Sequence, residues 1–159
     1  MGRKENAEEL IRQFGEDILN SYGMNIEKNC MQHGSISVYE HSLMVAALCV
    51  KIAVWCNIRA DMRALIRGAL LHDYFLYDWH DKDHISPFRL HGFFHPGIAL
   101  KNAEKEYRLS SKERDIIRKH MWPLTIVPPT CREAWVVSMA DKYCSLMETL
   151  RIHRKHKGE

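Results

Sequence analysis

The chain has 159 residues, 46% of them hydrophobic and 27% charged, and carries a formal net charge of +3. That length suits one domain with a substantial core. A charge so mild, with no concentrated basic run, excludes nucleic-acid binding as a leading reading. The five cysteines are odd in number and show no CxxC spacing, which excludes a disulfide framework or a zinc knuckle.

The N-terminus, MGRKENAEEL, is charged and lacks an apolar core segment, so no signal peptide is expected. No run of the length that crosses a bilayer is expected either. Cys49, Cys56 and Cys144 fall in apolar helical runs, where reduced thiols pack as small hydrophobes, so a cytoplasmic location is expected. The unusual figure is ten histidines. His33, His41, His72, His91, His95 and His120 lie in or beside apolar segments.

Taken in order, residues 5–20 place Leu10, Ile11, Phe14 and Ile18 at helical spacing. Residues 21–36, with Gly23 and Gly34, read as a loop or a short helix, with His33 either a turn histidine or a residue at a pocket rim. A long helix is predicted over 37–56, its apolar line running His41, Val45, Leu48, Ile52, which turns His41 toward the core. The next, over 60–72, carries Leu65, Ala69 and His72 on one face. Gly68 and Ala69 let a neighbouring helix approach closely. His72 ends that stripe and Asp73 follows it.

From Phe75 to Leu90 the pattern breaks into an aromatic, charged stretch interrupted by Pro87, and loops of this length in compact domains are often functional. Its Asp78, His80, Asp81, Asp83 and His84 read as solvated, with Tyr77 and Trp79 as aromatic neighbours of the site. A helix is predicted over 96–107, with Pro96 at its first position and His95 near its N-cap. Ser110 and Glu113 form a capping-box start for the next, whose inner face bears Ile116, Ile117 and His120. Residues 121–130, with three prolines, must connect. A last helix over 132–152 carries Asp141 in an apolar stripe with Ala134, Val137 and Cys144, and the tail from 153 reads as disordered. No convincing strand pattern appears. The expected fold is all-α, in one domain.

Burying a histidine beside a carboxylate is costly unless something pairs with them. A divalent transition metal is such a partner, since imidazole nitrogen and carboxylate oxygen suit it. Separate helices offer such side chains at inward positions: His41, the His72–Asp73 pair, His120 and Asp141, with His95 as a further source.

The ordered series His41, His72–Asp73, Asp141, in the contexts HSLMVA, ALLHD and MADK, resembles the HD-domain metal-dependent phosphohydrolase superfamily over residues 33–148. The resemblance implies a compact helical bundle with a metal site between the helices. His95 and His120 look like the intermediate histidines of the bacterial six-ligand branch, which includes HD-type dinucleoside tetraphosphate hydrolases and cyclic-di-GMP phosphodiesterases. By that similarity His41, His72, Asp73 and Asp141 hold one ion, and Asp73 bridges to a second held by His95 and His120. His91 is the rival of His95.

The implied cofactor is a pair of divalent transition ions, iron first, with manganese, zinc, cobalt or nickel as alternatives. The implied activity is hydrolysis of a phosphoester or phosphoanhydride bond, in a nucleotide, by a metal-activated hydroxide, with Asp73 and His72 at the catalytic centre. His91, Arg118, Lys119 and Lys142 are candidate substrate contacts. The expected partner is a small phosphorylated molecule, with neither nucleic acid nor membrane, and a homodimer is left open. Two departures narrow this: no lysine follows the His72–Asp73 pair, and the GYP motif of the cyclic-di-GMP group is absent. An HD-fold di-iron oxygenase and a non-catalytic, metal-stabilised nucleotide-binding protein are the competing readings.

Overall fold

The computed structural model describes residues 7–77 and 91–156, the side chains of His91 and 152–156 excepted. The readings of Asp78, Trp79, His80, Asp81, Asp83 and His84 in the loop, and of the His91 side chain as a rival ligand or substrate contact, therefore lie outside the described residues. Among the described residues the chain forms seven helices and one short hairpin. All-α is the right class.

Helix α1 (Ala7–Leu19) buries Leu10, Ile11 and Ile18, and α2 (Tyr22–Glu27) is capped by Ser21, whose hydroxyl accepts from the Met24 amide. Strands β1 (Met31–His33) and β2 (Ile36–Ser37) pair antiparallel around Gly34, whose φ of 59° suits a residue without Cβ. No strand was expected here. The pairing is too short to show alternation, and a backbone bond from Val38 to the Cys30 carbonyl (2.8 Å) closes it from outside.

Helix α3 (Val38–Trp55) starts at a reciprocal capping box between Ser37 and Glu40. Contrary to the sequence expectation, its 18 residues are long and apolar enough to cross a membrane. Here they pack against α4, α7, α1 and α2 instead. Helix α4 (Met62–Leu71) is the axis of the bundle. Every residue from Ala64 to Leu71 is buried, with α1, α3, α6 and α7 around it. Such a helix must also satisfy its one buried charge. Arg67 donates to Glu113 (3.1 Å), to Asp17 (2.6 Å) and to the Phe14 carbonyl.

Helix α5 (His91–Glu106) begins five residues earlier than its proline suggested, so Pro96 lies inside the helix and His95 is no N-cap. Pro96 removes one backbone donor, but tertiary packing holds the extra turn. A Cβ on Gly92 would lie 2.7 Å from Leu124, so the turn is pressed against the loop after α6. Helix α6 (Ser111–Lys119) has the expected Ser110–Glu113 capping box. Helix α7 (Arg132–His156) continues four residues past its predicted end.

Gly68 permits the contact that matters most for the site. A Cβ there would lie 2.5 Å from Ile116 Cδ1, so α4 and α6 meet closer than any side chain allows.

Candidate metal centre

The bundle brings all six predicted ligands together. His41 (0% exposed) sits in the first turn of α3, His72 (0%) caps the C-terminus of α4, and Asp73 (2%) follows. His95 (5%) projects from α5, His120 (0%) caps α6, and Asp141 (6%) lies on α7.

Two of the histidines are oriented by the same local device. His72 Nδ1 donates to the Ala69 carbonyl (2.7 Å), and His120 Nδ1 donates to the Ile117 carbonyl (2.9 Å), each three residues back. Carbonyls in a last helical turn lack intrahelical partners. The C-cap ring supplies one, and in doing so sets its own tautomer with the Nε2 lone pair facing the cluster. His41 is held from outside by Glu148, whose Oε1 accepts from Nδ1 at 2.9 Å. An outer carboxylate on a ligating histidine is the usual way to fix its ring and raise its basicity.

Asp73 divides the cluster. Its Oδ2 lies 3.4 Å from His72 Nε2 and 3.9 Å from His41 Nε2, while its Oδ1 lies 3.1 Å from His95 Nε2 and 3.3 Å from His120 Nε2. Asp141 Oδ1 joins the first group, 3.1 Å from His41 and 3.6 Å from His72. In the second group His95 Nε2 and His120 Nε2 are 2.8 Å apart. Among the described residues, His41–His72–Asp141 and His72–Asp73–His120 form close triads that could hold a metal ion, and His72 stands at the junction of both.

The residues fit a divalent ion. His72 Nε2 is fully buried with no hydrogen-bond partner, an orphan nitrogen aimed between two carboxylates. The six converging side chains offer only nitrogen and carboxylate oxygen, a donor set for transition metals.

The electrostatics show how strongly the groups interact. Burial opposes the charged form of His41, yet Asp141 and Glu148 raise its pKa to about 10. His72 is likewise raised against burial by Asp73 and Asp141. Burial pushes the Asp73 carboxyl up, but His72, His120 and His95 hold it well below the usual range. Asp141 is also depressed, against burial, by His41 and His72. His120 goes the other way: burial lowers it, and His72 and His95 add to the effect.

A cavity of about 730 Å³ opens over the cluster, lined by Gln32, His33, Asp73, His95, Asp141 and Lys142 together with the apolar Met121, Pro123 and Leu124. Lys142 lines this cavity as a candidate substrate contact, but its ammonium donates to the His120 carbonyl (2.9 Å), Ser138 Oγ (2.8 Å) and the Ser138 carbonyl (3.2 Å). It therefore ties α7 to the end of α6. Arg118 and Lys119 are not brought to the cluster. They line a separate cavity of about 420 Å³ beside α5, and Lys119 pairs with Asp115. Trp122 stacks edge-on against Trp135, and Tyr77 packs against Phe75.

Sequence reasoning missed three residues. Glu148 was findable, because it lies seven residues after Asp141 and so on the same face of α7. Gln32, whose Nε2 donates to Asp73 Oδ2 at 2.8 Å, gave no signal. Nor did Asn102, which donates to the Tyr74 and Phe75 carbonyls and holds the chain as it leaves the site.

The comparisons agree with this geometry. The HD domain family model matches residues 38–146, from the start of α3 into α7. The chain belongs to the HD-domain family. No curated protein and no solved structure gives a match. HD domains are mostly metal-dependent hydrolases, and this HD domain carries the His/Asp clusters that such chemistry requires.

Proposed function

We propose that this HD domain is a phosphohydrolase that uses two divalent transition ions to cleave a phosphoester or phosphoanhydride bond in a small molecule, a nucleotide being the favoured class. The observation that carries the reading is the division of Asp73, one oxygen toward His41 and His72 and the other toward His95 and His120. A single-ion site has no use for a buried carboxylate that faces two separate groups of histidines.

On this reading His41, His72, Asp73 and Asp141 would hold one ion, and His95, His120 and Asp73 would hold the other. Bound there, a metal pair supplies water of lowered pKa and neutralises phosphoryl oxygens. The chain does the rest. Glu148, Ala69 and Ile117 hold three imidazoles so that Nε2 faces inward. Lys142 places a positive charge on the cavity wall beside Asp141. Met121, Pro123 and Leu124 on the cavity wall suit the non-phosphate part of the substrate. Iron is the favoured ion, with manganese, zinc, cobalt and nickel also compatible with the donors.

The test is elemental analysis of anaerobically purified protein, followed by a phosphate-release screen across nucleotides on the same sample. Two ions per chain with phosphate release is the expected result. Bound iron with oxygen-dependent turnover and no phosphate release would move the assignment to an HD-fold di-iron oxygenase. Nucleotide affinity without turnover in any metal would leave a binding protein.

A further inference from the structure

Gln32 is the one buried residue of β1, 9% exposed, in a hairpin whose backbone pairing needs nothing from this side chain. Its Nε2 donates to Asp73 Oδ2 at 2.8 Å across 41 residues of chain. An ionised carboxylate only accepts, so the amide must present nitrogen to it and turn its carbonyl away. That carbonyl, Oε1, is buried and has no hydrogen-bond partner. Leaving such a group unsatisfied forfeits its hydration with nothing in return. An apolar residue would fill the position without that cost, so folding alone does not account for glutamine here.

The position of the amide does account for it. Asp73 must hold one orientation to keep Oδ2 on the side of His41 and His72 and Oδ1 on the side of His95 and His120. The four histidines face the two oxygens, and rotation about the last bond would turn both oxygens away from them. A neutral donor fixed on Oδ2 opposes that rotation, without adding a charge that would compete with a cation. Gln32 also lines the cavity above the cluster.

We propose that Gln32 is a positioning residue of the metal centre, locking the Asp73 carboxylate in the orientation that serves both groups of histidines. This rests on the two-ion reading above. The hairpin, which resembles nothing catalytic in sequence, is thereby part of the site.

The test titrates metal-stripped wild type and Gln32→Leu with Co²⁺ alone, reading stoichiometry and affinity by calorimetry and ligand geometry by visible absorption. Mn²⁺-loaded samples are then examined by electron paramagnetic resonance for coupling between the ions. Wild type is expected to take up two coupled ions. Gln32→Leu should bind about 10–100-fold more weakly, the usual cost of losing an outer partner of a ligand, with an altered spectrum and weakened coupling. Its metal-free form should melt no lower than wild type, because the orphan carbonyl is gone. A purely structural glutamine would do the reverse, lowering the melting temperature and leaving the Co²⁺ spectrum unchanged. Two coupled ions of wild-type affinity in Gln32→Leu would overturn the role of Gln32 alone. Failure of wild type itself to load two ions would overturn this proposal together with the reading beneath it.

Discussion

Glu148 Oε1 and His41 Nδ1 lie 2.9 Å apart, both fully buried, joining the fifth turn of α7 to the first turn of α3. The bond fixes which nitrogen of His41 faces Asp73 and Asp141. It also means that α7 contributes to the centre at two levels, Asp141 within it and Glu148 behind it.

Glu148→Ala should therefore weaken binding of the first ion by about 10–100-fold while the helical fold persists. Competition with a chelating dye, alongside circular dichroism, measures both. Wild-type metal affinity in a folded Glu148→Ala protein would remove Glu148 from the centre.

The two groups of histidines should separate by mutation. His120→Ala is expected to lower metal content from two ions toward one, because only the Asp73 Oδ1 side loses a ligand. Asp73→Ala should lower bound metal on both sides and abolish phosphate release. Metal content by mass spectrometry decides, and an undiminished count in His120→Ala would sink the two-ion version.

Gly68→Ala tests the approach of α4 to α6. The added methyl would meet Ile116 Cδ1 at 2.5 Å, backed by Cγ2 at 2.9 Å and Cβ at 3.0 Å. Overpacking of this kind costs about 1–3 kcal/mol. His72 and His120 cap these same two helices, their rings 4.9 Å apart, so widening the gap should also weaken metal binding. Denaturant unfolding and metal titration are the measurements. A variant as stable as wild type would show that the helices part freely.

A pH dependence follows from Asp115. Partial burial pushes its carboxyl up, but the Lys119 ammonium and the backbone amides of Thr130 and Cys131 outweigh burial and bring the pKa down to about 2. A depressed carboxylate contributes stability that is complete above the unfolded value, near 3.9, and is lost as pH falls through about 2. Asp115→Asn should be less stable than wild type by about 1–2 kcal/mol at pH 7, the loss of charged hydrogen bonds to the α7 entry. The two proteins should converge as pH is lowered from 4 toward 2. A gap that stays constant across that range would show that the charge contributes nothing.

How much of this was legible in the chain depends on the range of the interaction involved. Helix positions and caps are local. Leu10 to Ile18, the inward turn of His41 and Val45 and the Ser110–Glu113 capping box could be read from spacing, because they depend on neighbours a turn or two away, whereas Leu48 and Ile52 of the same predicted line are only partly buried. The start of α5 could not be read, since its first turn is held by Gly92 against Leu124 across the bundle, against the local preference of Pro96. The hairpin was invisible for the same reason: strands this short carry no period.

The site divides along the same line. By itself the sequence picked out the candidate donors, because it places His41 and Asp141 on inward helix faces and His72, Asp73 and His120 at helix ends, where a lone buried polar group would be expensive. Only the tertiary structure decided which donors share an oxygen of Asp73, that Arg118 and Lys119 face another cavity, and that Gln32 and Glu148 stand behind the ligands. Residue type and periodicity decide whether a side chain points inward. What it meets there depends on the angles at which helices cross, and those are set by close contacts such as Gly68 on Ile116 that no single segment contains.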